Sequence, residues 1–183
     1  PGACCLGHEG CVSATQDECD GNWFGAGTSC NDSNVDCAAT GTYFVPGDYS
    51  SIQAAVNSVG EYSIINVSPG TYYEHVNLNG KNLQIIGVGG PEMTTIHGMN
   101  SNTVITMMNG EDGTTTIDGF SITAGFNASG AGIRCDGNPF ILNCKIYGNN
   151  ANSIIGGLLS IGDEGPTIGN THFCENDVNG FPD

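Results

Sequence analysis

The chain has 183 residues, enough for one ordinary domain or one compact domain with a small appendage. Its 19 acidic residues face only Lys81, Arg134 and Lys145, a net charge of −16 that excludes binding to nucleic acid or to an anionic membrane through a basic patch. No apolar run approaches the roughly 20 residues of a membrane-spanning helix, and 29 glycines among few charges point to many tight turns.

The first element in chain order is a cysteine-rich module over residues 1–40. Cys4, Cys5, Cys11, Cys19, Cys30 and Cys37 crowd into it, out of nine cysteines in all. This density predicts a disulfide framework of the kind that stabilises small extracellular modules, hence a secreted or cell-surface protein. A zinc site is the rival reading, but there are no paired Cys-x-x-Cys motifs and His8 is the module's only histidine. The order of the cysteines does not choose their pairing. "PGACC" reads as the start of a mature chain after processing. Asp32, Asn34 and Asp36 stand at alternate positions, the oxygen spacing that opens a Ca2+ loop. Cys37 takes the place of the glycine expected next, so a polar loop closed by Cys30 and Cys37 competes with that reading. Asn31, Asn66 and Asn127 each begin an Asn-x-Ser glycosylation triplet.

The second element spans 41–183. It opens with one helical stretch at about 50–59, where Ile52, Ala55, Val56 and Val59 recur at helical spacing. Ser50 with Gln53 fits a capping box and Gly60 a stop. Thereafter come short runs rich in Ile, Val and Thr, broken by Gly, Asn and Pro, which read as strands. They align into a repeat whose columns hold Ile96, Ile117, Ile141 and Ile168; then Ile122, Ile146 and Phe173; then Ile133 and Leu158. Such a repeat, two or three short strands long, is the signature of a solenoid in which stacked coils bury continuous apolar ladders. Asn143 over Asn170, with Gly98 and Gly119 in the same column, fits a bend where amides bond from rung to rung. The helix would cover the first coil. A propeller and a leucine-rich repeat are set aside, because neither a Trp-Asp signature nor a Leu-x-x-Leu-x-Leu frame is present.

Residues 48–98, through Ile52-Gln53-Ala54-Ala55-Val56 and Gly70-Thr71-Tyr72-Tyr73-Glu74, resemble the N-terminal coils of the pectin lyase-like group, pectinesterases in particular. Residues 130–151 resemble the repeat unit of secreted bacterial β-helix proteins, and the cysteine module resembles one found beside such repeats. The resemblance implies an all-β fold: a right-handed parallel β-helix with a short N-terminal capping helix and a disulfide-rich N-terminal module. It also implies where chemistry would sit. Pectinesterases use two aspartates and an arginine on one sheet face, yet here the Gln-Asp pair and the Asp-Phe-x-x-Gly strand are missing, leaving Asp118 alone. Asp118 with His97 on an adjacent rung would make an acid–base pair; a surface ladder contact is the plainer expectation. Lyases of this fold need a basic residue beside carboxylate-bound Ca2+, and Arg134 points outward without one. Asp163 and Glu164 adjoin in a turn rather than facing across a cleft.

The coils are expected to end on an uncovered rung. Apolar ladder ends and open strand edges invite another chain, and head-to-tail contact would build a filament. Cys135 and Cys144 are expected to pair with one another, leaving Cys174 as an intermolecular thiol or a buried free one. Three functional readings follow. The first is a non-catalytic extracellular structural protein that stacks on copies of itself, requiring no cofactor although Ca2+ is allowed. The second is a carbohydrate-binding or polysaccharide-active protein using the groove along the helix, although Trp23 is the only tryptophan and Tyr72, Tyr73 and Tyr147 are the only tyrosines within the coils. The third is a segment of a longer surface protein.

Overall fold

The computed structural model describes residues 1–5, 11–19, 22–30, 40–178 and 181–182. In the cysteine module β1 (Gly2–Cys5), β2 (Cys11–Ala14) and β3 (Asn22–Ala26) form an antiparallel sheet in the order β2-β1-β3. A disulfide joins Cys4 to Cys19, and Cys30 is also disulfide-bonded. Cys5 and Cys11 stand opposite in the β1–β2 register. Cys37 and the sequence-derived Ca2+ ligands Asp32, Asn34 and Asp36 lie outside the described residues, as does Asn31.

The rest is a parallel β-solenoid of about five turns. It begins with β4 (Thr42–Val45), helix α1 (Ile52–Ser58), β5 (Ile64–Val67), β6 (Gly70–Tyr73) and β7 (Val76–Asn77). Next come β8 (Gln84–Gly87), β9 (Thr94–His97), β10 (Ile105–Met107), β11 (Thr116–Asp118), β12 (Ser121–Thr123), β13 (Phe126–Asn127) and β14 (Ile133–Cys135). The last are β15 (Phe140–Leu142), β16 (Lys145–Tyr147), β17 (Asn150–Ala151), β18 (Leu158–Ser160), β19 (Thr167–Gly169), β20 (His172–Cys174), β21 (Asp177–Val178) and β22 (Phe181–Pro182). Three walls result: β4-β5-β8-β11-β15-β19, β6-β9-β12-β16-β20 and β7-β10-β14-β18. A smaller ladder, β13-β17-β21, ends where β22 turns back antiparallel on β21.

The inward positions of the short strands are mostly β-branched, and each strand gains stability from the coil above and below. Ile65, Ile85, Ile117 and Ile141 stack in register on the first wall. Ile96, Ile122 and Ile146 stack on the second, and Ile105 and Ile133 on the third. All of these are buried. Two of the sequence-derived columns are therefore right, and the first needs one correction: Ile96 belongs with Ile122, and Ile85 takes its place above Ile117. The coil from 85 to 117 carries longer loops than the coils after it, so a repeat aligned on the later spacing slips there.

The same slip displaces Gly98. It adjoins Ala124, while Gly119 stands between Gly87 and Asn143. Gly87 and Gly119 pack so closely that a Cβ on Gly87 would lie 2.4 Å from the Gly119 carbonyl oxygen. Further along this bend Gly119, Asn143 and Asn170 all adopt left-handed backbone, with φ of 78°, 50° and 45°, which glycine and asparagine tolerate best. The Asn170 amide donates to the Asn143 oxygen at 2.8 Å, and Asn143 donates in turn to Asp118 at 2.8 Å. The anticipated asparagine ladder is thus present on the surface.

Helix α1 lies over the first coil, touching β4, β5 and β7, with Ile52, Ala55 and Val56 buried. Its N-cap is Ser51, whose hydroxyl accepts from the Ala54 amide; Ser50 and Gln53 do not form the expected capping box.

Candidate functional site

The stretch 70–81 has a structural task. Glu74 leaves β6 and accepts the amides of Ile52 and Gln53 at 3.0 and 2.8 Å, placing negative charge at the helix N-terminus. Lys81 reaches the other end of the helix, its ammonium donating to the carbonyls of Val56, Asn57 and Val59. Tyr72 donates its hydroxyl to the Ser68 carbonyl at 2.9 Å, and partial burial raises its pKa. One of the chain's three basic residues is therefore engaged in helix capping.

The catalytic candidates do not converge. His97 pairs in register with Tyr73 and Thr123, on the second wall. Asp118 pairs with Ile86 and Leu142, on the first. The postulated His97–Asp118 pair across adjacent rungs is not formed, for the same reason that Ile96 was misplaced. Arg134 lies on β14 between the inward Ile133 and Cys135, as its position in the strand requires. Asp163 and Glu164 are exposed, and Glu164 accepts from Asn138 at 3.0 Å. Among the described residues no group of three or more His, Cys, Asp or Glu side chains is placed to hold a metal ion.

Cys135 and Cys144 are both buried and free, so the anticipated disulfide between them is not formed. The extended strand β15 lies between them. The Cys144 thiol donates to the Leu142 carbonyl, and burial pushes its pKa up to about 11. Burial raises that of Cys135 as well. Neither thiol is a nucleophile at neutral pH. Cys174, by contrast, is free and exposed. Of the glycosylation triplets, Asn66 sits half-buried within β5, and the Asn127 amide nitrogen donates to both Asn102 and Thr103.

Two surface features remain. The first is the outward column Tyr73, His97, Thr123, Tyr147 and Cys174 on the second wall. Tyr73 is 65 % exposed with its ring 5.0 Å from that of His97, and the Lys145 ammonium sits 5.3 Å from the Tyr147 ring centre. The second is the C-terminal end of the solenoid. Ile168 and Phe173 continue the buried ladders yet are 46 % and 44 % exposed, against 0 % for Ile141 and Ile146 one coil earlier. They line a cavity of about 300 Å³ with Ile155, Leu158, Cys174 and Asn176. Strands β18, β19 and β20 each end their wall, so each presents an edge that no strand among the described residues covers. Only the smaller ladder is closed, by β22.

An interior asparagine ladder escaped the sequence reading. Asn149 is fully buried; its oxygen accepts from the Gly125 amide at 2.9 Å. Its nitrogen donates to the Ile122 carbonyl at 3.0 Å and to the Asn176 oxygen at 3.0 Å. The signal was available, since Asn149 and Asn176 keep the same spacing as Ile146 and Phe173. No protein-family profile, curated protein or solved structure matches the chain.

Proposed function

We propose that this protein is a non-catalytic, extracellular structural element that assembles by head-to-tail stacking of its β-solenoid on further copies, in the manner of a scaffold of pectin lyase-like shape without that group's chemistry. The observation that carries the reading is the abrupt exposure of the isoleucine ladders at Ile168 and Phe173, beside three strand edges able to accept further hydrogen bonds. A disulfide-bonded module at the other end of the sequence and the separation of Asp118 from His97 support it further. Light scattering across a concentration series tests it. The wild-type chain associates, and Ile168→Asp or Phe173→Asp abolishes association while leaving the circular dichroism unchanged, because both side chains are already about half exposed. Scattering that stays constant for the wild-type chain would remove this reading.

A second reading rests on the outward column of the second wall. Tyr73, 65 % exposed, and the half-buried Tyr147 stand three rungs apart, about 14 Å at the usual strand spacing, and aromatic rings of this kind suit a neutral glycan. Glycan binding that disappears in Tyr73→Ala would favour it over assembly.

A further inference from the structure

The sequence holds three Asn-Gly dipeptides, Asn79–Gly80, Asn109–Gly110 and Asn179–Gly180, the last outside the described residues. In such a pair the main chain turns readily on the asparagine side chain, because glycine has no Cβ to crowd its own nitrogen. Asn79 and Asn109 are both exposed, so exposure does not separate them. The glycine amides do. One carboxylate, Glu111, is 1 % exposed and divides its oxygens between the two turns. Its Oε1 accepts from the Gly80 amide at 2.9 Å and its Oε2 from the Asn109 amide at 2.8 Å. The nitrogen that would attack in the first dipeptide is therefore held, whereas in the second the bond falls one residue early. Gly110 is exposed at φ 94° in open space, where an added Cβ would meet nothing within 4 Å. Its amide has no hydrogen-bond partner among the described residues. Two Asn-Ser dipeptides are held as the first is, the Ser101 amide by the Gly98 carbonyl and the Ser153 amide by the Ala128 carbonyl, each at 3.0 Å.

We propose that Asn109 is a site of spontaneous deamidation in the folded protein, and that Glu111 shields Asn79 from the same reaction. The Gly110 nitrogen gives its proton to solvent base and bonds to Cγ of Asn109. The Cγ–Nδ2 bond then breaks, and ammonia leaves with a proton taken from water. The five-membered succinimide that results is opened by water at either carbonyl, to aspartate or to isoaspartate. One water is consumed, one ammonia is released, and nothing is oxidised or reduced. At Gly80 the first step must break a hydrogen bond to a carboxylate and form an anionic nitrogen beside a negative charge; both oppose it. A hydrogen bond to a charged group slows the step by about tenfold or more. The product places a second carboxylate two residues from the buried Glu111. In its isoaspartate form it also lengthens the main chain by one methylene in the turn between β10 and β11.

Peptide mass spectrometry of the full chain, sampled over days in mildly alkaline buffer with and without urea, tests the proposal. In the native chain, conversion at Asn109 is expected to run about tenfold or more faster than at Asn79, with isoaspartate present in the Asn109 peptide. In urea, where neither glycine amide is held, the two rates converge. Glu111→Ala raises the rate at Asn79 toward that at Asn109. If circular dichroism shows that Glu111→Ala does not fold, the comparison of native with urea-unfolded wild-type chain decides alone. Equal rates at the two sites in the native chain, or faster conversion at Asn79, would overturn the proposal. A folded Glu111→Ala chain in which Asn79 stays slow would overturn the shielding by Glu111.

Discussion

Replacing Asn149 by Ala strikes the interior of the coil stack where no water can compensate. The side chain is fully buried and holds Gly125 N–H at 2.9 Å, the Ile122 carbonyl at 3.0 Å, the Tyr147 carbonyl at 3.2 Å and the Asn176 oxygen at 3.0 Å. Each neutral hydrogen bond is worth about 1 kcal/mol net, and the stranded Gly125 amide adds about 1–3 kcal/mol of uncompensated desolvation. The amide's oxygen and two hydrogens make three such bonds at a time, so the sum is about 4–6 kcal/mol, or a fall in Tm of about 10–20 °C for a chain of this size. The surface ladder supplies the control. Asn143→Gly removes two bonds of similar length but introduces glycine, which adopts φ 50° without strain. Water replaces the lost partners there, so the cost is about 1 kcal/mol or less. Asn149→Asp separates hydrogen bonding from packing. It keeps the shape, turns an amide donor into an acceptor facing carbonyl oxygens, and costs more than Asn149→Ala. Urea titrations followed by circular dichroism read all three variants. Equal costs for Asn149→Ala and Asn143→Gly, or Asn149→Asp milder than Asn149→Ala, would refute the reasoning.

The remaining predictions concern the helix and the buried thiols. Glu74→Ala removes two charge-assisted bonds from the helix N-terminus and lowers stability by about 2 kcal/mol; Lys81→Met lowers it by about 1 kcal/mol, both read from urea midpoints. Reductions below a few tenths of a kcal/mol would show that the apolar face of α1 suffices to hold it. Cys144 keeps its proton in the folded chain up to about pH 11, whereas the unfolded chain begins to ionise that thiol near its ordinary value of 9.0. The raised folded pKa gives stability that is fully present below pH 9 and lost as pH rises to 11. At about 1.4 kcal/mol per pH unit the loss reaches about 3 kcal/mol. Urea midpoints measured from pH 8 to 11 should fall less steeply in Cys144→Ser than in the wild-type chain, and identical slopes would contradict the assignment. In native protein a thiol reagent modifies Cys174 before Cys135 or Cys144, and the fast phase disappears in Cys174→Ser.

The solenoid was legible because its signal is repetitive. Ile117, Ile141 and Ile168 recur with their flanking glycines and asparagines, and each repeat strengthens the reading of the others. Legibility failed where a coil departs from the common length. The longer coil between Ile85 and Ile117 shifted Ile96 into the wrong column and brought His97 beside Asp118 on paper, although they occupy different walls. The helix was found from its apolar stripe but its cap was misread by one residue, since Ser50 and Ser51 are both competent and only the chain's entry angle decides. Gln53 against Asn77, Glu74 on the helix N-terminus and Asp48 on Phe44 are contacts between separate elements or across a turn, and no periodicity announces them. The pairing of Cys135 with Cys144 was inferred from shared inward parity alone, which ignores the strand that separates them.

Hydrogen exchange measured at low and high protein concentration addresses the assembly claim most directly. Amides on the outer edges of β18, β19 and β20 should gain protection as concentration rises. Exchange in the last described coil that is independent of concentration would contradict the proposed assembly.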